Sequence, residues 1–332
     1  MVRKKRLKVI DLFAGIGGNR SGFERADEEK RLDFVYTNDF DRNCALTYGA
    51  NFGDVDCRSI TDVKATEIPD FDILLGGFPC QAFSLAGKQK GFGDTRGTLF
   101  FDIQRILLHK MKKGKKPSAF LLENVGNLKH HDTGKTFEVM MKVLREDLGY
   151  DVHEKILNSR FYGVPQNRPR IYIVGFKKKT DFHFPEKRKE ISVDSILEEW
   201  GTFDPKYYIS QKYYEGLNRH RDRHLSKGNG FGYQVIERTD VANTLVLGGM
   251  GRERNLIKDK PKLVYKPGLD KLKYKNSKGI RKLTIAEYAR LQGIDDTTFK
   301  FPVSNTQAYR QIANSVSVPV IEAIAREMLK HL

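Results

Sequence analysis

The sequence has few cysteines, a single tryptophan and no long apolar run. Its three cysteines are Cys44, Cys57 and Cys80, and none belongs to a C-x-x-C pair. So sparse a set excludes a disulfide scaffold, gives no zinc-binding pattern and is typical of a reducing compartment. No window of 18 apolar residues and no signal peptide occurs. We therefore expect a cytoplasmic protein with neither a membrane span nor a metal site.

Acidic residues are scarce relative to basic ones. The chain of 332 residues has 59 Lys and Arg against 42 Asp and Glu, a net charge of +17. This excess predicts a polyanionic partner, because Lys and Arg that contact phosphates release counterions and so drive association. The alternative is a basic surface without a dedicated partner. The length allows one large domain or two smaller ones.

Short apolar runs in the first 176 residues predict six strands. Helical patterns separate them, such as the stripe of Leu99, Ile103 and Ile106. Strands that alternate with helices predict an α/β fold whose mostly parallel sheet is covered on both faces. The predicted strands are Leu7–Phe13, Phe34–Asn38, Phe71–Leu75, Ala119–Leu122, Val152–Leu157 and Ile171–Phe176.

The composition changes after residue 179. Residues 201–275 contain 16 Lys or Arg against 8 Asp or Glu, many aromatics and two glycine-rich stretches, KGNGFGY (227–233) and GGMGRERN (248–255). This composition predicts a separate, loop-rich module. The amphipathic pattern returns in RKLTIAEYARLQGI, where Thr284 and Glu287 are spaced as a helix capping box.

A glycine-rich stretch, DLFAGIGGNRSGF (11–23), follows the first predicted strand. Gly15, Gly17 and Gly18 allow a tight turn into a helix and the close approach of a ligand. The third glycine of a dinucleotide fingerprint would fall on Arg20. Asp39 ends the second strand, at a spacing that suits an acid bonding ribose hydroxyls. The residues favour a nucleotide-like cofactor over a plain turn but leave NAD and a simple adenosine group both open.

Cys80 lies in GGFPCQAFS, at the carboxyl end of a predicted strand. Open α/β sheets bind ligands at this edge, and Pro79 indicates that a loop has begun. A thiolate is a strong nucleophile when positive neighbours or a helix N-terminus lower its pKa. The alternative is that Cys80 is a small buried apolar side chain, as most free cysteines are.

Charged residues flank two further strands. Glu123 closes the strand in FLLENVGNL, where an apolar setting could raise its pKa and make it a proton donor. Arg168 and Arg170 lie two residues apart in QNRPRIYIVGF, so both face one side and could bind a carboxylate or phosphate. The alternative for Glu123 is an acid at a helix N-terminus or a partner for a surface lysine, and the alternative for the two arginines is a surface pair.

Six motifs in order resemble the DNA (cytosine-5) methyltransferases of bacterial restriction–modification systems. They are DLFAGIGG, GFPCQAFS, ENV, QNRPR, RKLTIAEYARLQG and QAYRQIANSV, and the resemblance covers the chain except roughly residues 180–275. It implies a Rossmann-like sheet that binds S-adenosylmethionine, formed by residues 1–185 and 276–332. Residues 186–275 would be the smaller, loop-rich target recognition domain.

The same resemblance implies roles for four residues in catalysis. Cys80 would attack carbon 6 of a cytosine, and Glu123 would contact N3 and the exocyclic amine. Arg170 would bond the O2 atom, with Arg168 beside it. Carbon 5 then takes the methyl group and loses its proton, which releases the thiol.

The implied cofactor site draws on both ends of the chain. Phe13 would stack on the adenine, Asp39 would bind the ribose, and Asn314 with Ser315 would close the methionine end. Close relatives offer an aspartate to the adenine amine where this sequence has Ser59, with Asp56 and Asp62 nearby. The full set is Asp11, Phe13, Gly15, Gly17, Asp39, Phe40, Ile60, Pro79, Asn314 and Ser315.

The implied substrate is double-stranded DNA, from which the target base must be flipped out because its ring atoms are stacked inside the duplex. Candidate DNA-binding residues are Ser84, Lys88 and Arg96 in a loop after Cys80, and Lys227, Arg252 and Arg254 in the basic module. Arginine bound to guanine is the commonest specific contact, although phosphate binding is the alternative.

Two other functions share this scaffold: an RNA cytosine methyltransferase and a DNA-binding protein that has lost catalysis. The large basic module favours duplex DNA, and the presence of Cys80, Glu123 and Arg170 favours an enzyme. The resemblance further implies a cognate restriction endonuclease and a monomeric enzyme. The recognition sequence is not deducible from one chain.

Overall fold

The computed structural model describes residues 5–78, 99–199, 204–228, 232–246, 253–258, 276 and 278–332. Its strands are β1 (Leu7–Leu12), β2 (Leu32–Asn38), β3 (Ile73–Gly76), β4 (Ala119–Val125), β5 (Asp151–Asn158), β6 (Gln166–Asn167), β7 (Pro169–Phe176), β8 (Val235–Ile236), β9 (Ala242–Asn243), β10 (Leu256–Lys258) and β11 (Ile280–Arg281). Its helices are α1 (Gly18–Ala26), α2 (Arg42–Phe52), α3 (Leu99–Lys112), α4 (Lys135–Lys142), α5 (Gln211–Leu225), α6 (Ile285–Arg290), α7 (Asn305–Asn314) and α8 (Val318–Leu329).

Six strands form one sheet in the order β2-β1-β3-β4-β7-β5. The pairs β1–β2, β1–β3 and β3–β4 are parallel, whereas β7 is antiparallel to β4 and to β5. All six predicted strands are present, with ends that differ by at most three residues. The predicted α/β fold with a mostly parallel sheet is therefore confirmed.

The strand order reverses at β1, which lies between β2 and β3. At such a point the connections leave the sheet toward opposite faces and open a crevice beyond the carboxyl ends of the strands. The turn after β1, the residues after β2 and the end of β3 all lie at this edge. Because β7 runs the other way, its first residues reach the same edge.

Apolar side chains cover both faces of the sheet. Ile103, Ile106 and Leu107 of α3 pack on one face together with α4. Helices α1 and α8 cover the other face, and they pack so closely that a Cβ added to Gly22 would lie 2.5 Å from the side chain of Ile321. Each such buried aliphatic side chain contributes roughly 1.5–3 kcal/mol, so the two layers hold the binding edge rigid.

The described part of the basic module contains helix α5 and a small sheet in the order β11-β10-β8. Its core is small and consists of Ile209, Leu217, Tyr233, Leu256 and Ile280. Among the described residues, the module and the larger domain share a hydrophobic core and are also joined through their strands. Strand β9 pairs with β6, and β11 leads directly into the segment before α6.

A buried ion pair holds the second of these junctions. Arg281 and Glu287 are fully buried and form two hydrogen bonds of 2.7 and 2.9 Å between guanidinium and carboxylate. The predicted capping box is confirmed, since Thr284 accepts from the Glu287 amide and the Glu287 carboxylate accepts from the Thr284 amide. One glutamate thus both caps α6 and neutralises the buried arginine.

Among the described residues, no helix combines the length and apolar character needed to cross a membrane. The same residues contain no group of three or more His, Cys, Asp or Glu side chains that could hold a metal ion.

Candidate active site

The turn after β1 contains three residues in left-handed backbone conformation: Phe13 (φ 57°), Gly15 (φ 55°) and Gly17 (φ 87°). Glycine adopts this conformation without cost, whereas for phenylalanine it costs about 1–2 kcal/mol. Such strain in a side-chain-bearing residue is common where a ligand binds. The backbone of the turn is tied to β2 by a bond of 3.1 Å from the Ala14 amide to the Asn38 carbonyl.

Asp39 lies at the end of β2 against this turn. Its Oδ2 accepts the Gly15 amide at 2.7 Å, and its Oδ1 accepts the Asp41 amide at 2.9 Å. Burial raises the pKa of Asp39, while these two amides act in the opposite direction. Each carboxylate oxygen has accepted one bond and has a lone pair left for a ligand hydroxyl. The neighbouring Phe40 is 68% exposed, an unusual position for a large aromatic ring.

Asp11, within β1, is fully buried beneath the turn. Its Oδ1 accepts from Asn19 Nδ2 at 3.3 Å, and its Oδ2 finds no partner among the described residues. Burial raises the pKa of this carboxyl to about 7, against which the Asn19 bond and the Arg20 charge act in the lowering direction. A buried acceptor without a partner is rare in folded proteins and marks a place where a polar ligand group could bind.

The segment after α7 returns to the glycine turn. A Cβ on Gly18 would lie 2.7 Å from Ser315 Oγ, so only glycine permits this approach. Ser315 is buried, whereas Asn314 is exposed at the last position of α7. The structure therefore brings the predicted residues from the two ends of the chain together.

Ile60 is buried, and its carbonyl accepts from Arg105 of α3 at 2.9 Å. Ser59 bonds Thr61 through its hydroxyl at 2.7 Å. Asp56 bonds the side chains of Arg58 and Tyr36, and mainly the Arg58 bond lowers its pKa to about 2. Asp56 is thus already engaged by protein groups, which disfavours it as the adenine contact.

Glu123 and Arg170, two of the predicted catalytic residues, contact each other at the sheet edge. Arg170 Nε lies 3.3 Å from Glu123 Oε1, and both side chains are largely buried. The antiparallel pairing of β4 with β7 creates this contact, because it sets Val125 opposite Arg170. Burial raises the pKa of Glu123, while the Arg170 and Arg168 charges act to lower it. A carboxyl in this state can hold a proton for a bound base.

Arg168 links the predicted catalytic residues to Ser315, a predicted cofactor residue. It is buried, and its Nη2 donates to the Ser315 carbonyl at 2.7 Å. Its Nε and Nη1 find no partner among the described residues. Burial, followed by the Arg170 charge, lowers its pKa to about 10, so the guanidinium remains charged at neutral pH. Two free donors on a buried cation fit a site that binds an electron-rich group.

Two residues that the sequence did not single out complete this arrangement. Asn124 donates to the Phe78 carbonyl at 2.9 Å and so ties the end of β4 to the segment that leads to Cys80. A Cβ on Gly77 would lie 3.8 Å from Glu123 Oε2, which places the backbone after β3 beside the carboxylate. In the sequence, the only sign of this role for Asn124 was that a polar residue interrupts an otherwise apolar strand end. Cys80 itself and Pro79 lie outside the described residues.

The two described cysteines are not suited to catalysis. Burial, helped by Asp39 and Asp41, raises the pKa of Cys44 to about 12, so its thiol stays protonated at neutral pH. Cys57 is exposed to solvent, and its Sγ lies 3.8 Å from the Val55 carbonyl oxygen.

Of the predicted DNA-binding residues, Lys227 and Arg254 are described and both are exposed. Ser84, Lys88, Arg96 and Arg252 lie outside the described residues. Arg254 lines a cavity of about 570 Å³ between the basic module and helices α6 and α7. Arg310 adds positive charge to its wall, whereas Lys282 is paired with Glu253 at 2.6 Å, and Tyr288 and Tyr309 add aromatic surface.

This sheet and this edge define a Rossmann-like α/β methyltransferase. The family model for C-5 cytosine-specific DNA methylase matches residues 7–330. The chain belongs to this family. It is accordingly a DNA (cytosine-5) methyltransferase that uses S-adenosylmethionine as its methyl donor, and the predicted family, activity and cofactor are confirmed.

Relatives match the chain over nearly its whole length. The type II methyltransferase M.HpaII of Haemophilus parainfluenzae is 46% identical over 335 residues, which cover 99% of this chain and 91% of that protein. M.NlaX of Neisseria lactamica is 46% identical over 97% of this chain and 96% of that protein. The crystal structure of S. pombe Dnmt2 methyltransferase is similar in fold, with a TM-score of 0.74 at 20% identity over 98% of this chain and 99% of that one.

Proposed function

We propose that the protein methylates one cytosine within a short duplex sequence and so protects DNA from a cognate restriction endonuclease. The observation that carries the proposal is the contact of Glu123 with Arg170 at the sheet edge where the segment leading to Cys80 begins. A buried acid and a cation lie at this edge, and together with the thiol that we assign to Cys80 they are the groups needed to activate a cytosine ring. The relatives M.HpaII and M.NlaX, both type II methyltransferases, support the role in restriction–modification.

In this mechanism the Cys80 sulfur bonds to carbon 6 of the flipped cytosine. The ring electrons move toward N3, where Glu123 supplies a proton, and Arg170 and Arg168 stabilise the negative charge near O2. Carbon 5 is now nucleophilic. Bound S-adenosylmethionine supplies the methyl group. A base, water or hydroxide from solvent, then removes the carbon 5 proton, the carbon–sulfur bond breaks to return the thiolate, and the N3 proton returns to Glu123, which leaves neutral 5-methylcytosine.

The groups at the crevice fit an adenosine group. The Asp39 carboxylate has lone pairs left to accept hydrogen bonds from ribose hydroxyls, and Phe40 exposes its ring. We assign Asp39 to the ribose and Phe13 and Phe40 to the adenine. Ser315 and Asn314 would hold the methionine end. The remaining lining residues are Asp11, Gly15, Gly17, Ile60 and Pro79.

Phe40→Ala should weaken the binding of S-adenosylhomocysteine about tenfold, because stacking of a base on an aromatic ring contributes about 1–3 kcal/mol. Isothermal titration calorimetry measures the dissociation constant. Leu46→Ala is a matched control: Leu46 lies on α2 and is 59% exposed, so its loss removes exposed apolar surface away from the crevice. Equal affinity in the Phe40 variant and the wild type would remove Phe40 from the site.

We divide the chain into a catalytic domain, residues 1–185 and 276–332, and a target recognition domain, residues 186–275. The cationic cavity between them would bind the DNA backbone, with Arg254 and Arg310 as phosphate ligands. A net charge of +17 supports this use, since counterion release strengthens binding. Lys227, Arg252, Ser84, Lys88 and Arg96 remain proposed contacts. The enzyme would act as a monomer.

Arg254→Ala and Arg310→Ala should each weaken DNA binding and reduce the slope of log K against log salt by about 1, as expected for a lost phosphate contact. Fluorescence anisotropy at several salt concentrations measures both quantities. Arg145→Ala is the control, because Arg145 forms a surface ion pair with Glu154 of β5 and does not line this cavity. If Arg254 instead reads a base, its loss would relax sequence preference and leave the slope unchanged.

The activity is tested by transfer of tritiated methyl groups from S-adenosylmethionine to duplex DNA, with an RNA transcript of the same sequence as the comparison. Bisulfite sequencing of DNA from cells that express the protein identifies the target cytosine. If tritium is found only in the RNA, or in neither the RNA nor the DNA, the proposed function is overturned.

A further inference from the structure

Two buried glutamines connect the basic module with the catalytic domain. Gln166, the first residue of β6, and Gln292, just after α6, have no solvent exposure. Gln166 Nε2 donates to the Leu291 carbonyl at 2.8 Å and to Gln292 Oε1 at 3.2 Å. We call Gln166 and Gln292 together the glutamine bridge.

One end of the glutamine bridge holds the basic module. The Leu245 amide donates to Gln166 Oε1 at 3.1 Å. The adjacent Thr244 hydroxyl donates to the Asn167 carbonyl at 2.6 Å, and β9 pairs with β6 just before it. The segment that leads into the glycine-rich stretch 248–255 is thus bonded directly to the strand that precedes Arg168.

The other end of the bridge holds the segment that closes the cofactor site. Gln292 Nε2 donates to the Ile312 carbonyl at 2.9 Å and to the Ser315 carbonyl at 3.1 Å. That Ser315 carbonyl also accepts from Arg168. One carbonyl therefore receives bonds from both the bridge and a catalytic cation, while the Ser315 side chain faces Gly18 of the glycine turn.

Every polar hydrogen of the bridge is used. Each carboxamide has two N–H donors, and both glutamines place them on two separate acceptors while their oxygens accept one bond each. A buried N–H left without an acceptor is costly. A displacement of Leu245 must therefore break a buried bond or carry Gln292 and Ser315 with it. Contiguous bonds of this kind can transmit a change between two sites.

We propose that Gln292 is a positioning residue through which DNA bound at the basic module strengthens cofactor binding at Ser315. The inference rests on the proposed function, since it requires DNA at the module and the cofactor at Ser315. By thermodynamic reciprocity, the cofactor strengthens DNA binding by the same factor.

The test compares Gln292→Met with the wild-type protein. Calorimetry gives the dissociation constant of S-adenosylhomocysteine with and without a duplex that contains the sequence found by bisulfite sequencing. In the wild type we expect the duplex to lower this constant at least about fivefold, the lower end of typical coupling. In Gln292→Met the ratio should fall to about 1, because methionine keeps the volume but forms none of the bonds.

Gln311→Met is the matched control. Gln311 is a buried glutamine of α7 that accepts from the Thr47 hydroxyl at 2.9 Å and does not belong to the bridge. It should keep the wild-type ratio. Should Gln292→Met fail to fold, the same measurement is made on Gln166→Met, which lacks the hydrogen bond to the Leu245 amide.

Three results would overturn the inference: a wild-type ratio near 1, an unchanged ratio in the bridge variants, or an equal loss in Gln311→Met. These are binding measurements, so they are separate from the test of the proposed function. A wild-type protein that methylates DNA while its bridge variants keep the ratio would refute the inference alone.

Discussion

Replacing Cys80 by serine should lower the rate of methyl transfer about a thousandfold or more, the order of loss seen when a covalent nucleophile is removed. A serine hydroxyl is almost entirely protonated at neutral pH and is a much weaker nucleophile than a thiolate. The rate is measured as tritium transferred to duplex DNA under single-turnover conditions. Cys57→Ser, at an exposed cysteine, is the matched control and should keep the wild-type rate.

A second experiment tests the nucleophile directly by trapping the covalent adduct between protein and DNA. In duplex DNA with 5-fluorocytosine at the target site, the proton that must leave carbon 5 is replaced by fluorine. The bond between Cys80 and carbon 6 should then persist and shift the protein on a denaturing gel. An adduct that forms equally in Cys80→Ser, or full turnover by that variant, would assign the nucleophile elsewhere.

Replacing Glu123 by glutamine should slow methyl transfer about 10²- to 10⁴-fold, the usual contribution of a positioned proton donor. Glutamine has nearly the same shape and can still donate a hydrogen bond to N3, but it cannot release a proton. Cofactor affinity should change little, because Glu123 lies with Arg170 and away from Asp39. Glu327→Gln, which removes only a surface ion pair with Lys330, is the control.

The dependence of the rate on pH separates a chemical role of Glu123 from a packing role. Burial raises the pKa of Glu123, so its protonated form persists to higher pH than in an exposed glutamate. The single-turnover rate should therefore fall as the pH rises through this pKa, and that decline should be missing in Glu123→Gln. An identical decline in both proteins would assign the titration to another group.

The sequence was sufficient to predict where the strands lie along the chain and at which edge of the sheet the candidate site lies. Apolar runs such as Ala119–Leu122 are too short for helices, and each is followed by a residue suited to chemistry. The alternation of strands and helices predicted a mostly parallel sheet, but the reversed direction of β7 was not readable, because a buried strand has the same apolar pattern whichever way it runs. The antiparallel direction of β7 is nevertheless what brings Arg170, at the start of its strand, to Glu123, near the end of β4.

Other features were missed because their signals depend on tertiary contacts. Helix α5 buries only Leu217 fully, and the rest of its inward face consists of Tyr213 and Tyr214, so its short apolar face gave no prediction. Its one local sign was Ser210, whose side chain accepts the Tyr213 amide at the helix start. Gln166 and Gln292 lie in the motifs QNRPR and RKLTIAEYARLQG, but nothing in the sequence indicates that their side chains are buried together. They are buried only because segments more than 100 residues apart pack around them.

The packing of α1 against α8 governs when the protein can become active during its synthesis. Gly22 and Ile321 are in close contact although about 300 residues separate them, which at roughly 5–20 residues per second is about 15–60 s of translation. Until α8 emerges, one face of the sheet stays uncovered and Ser315 cannot approach Gly18. We therefore expect each nascent chain to pass through an interval in which the apolar surface that α8 later covers is exposed.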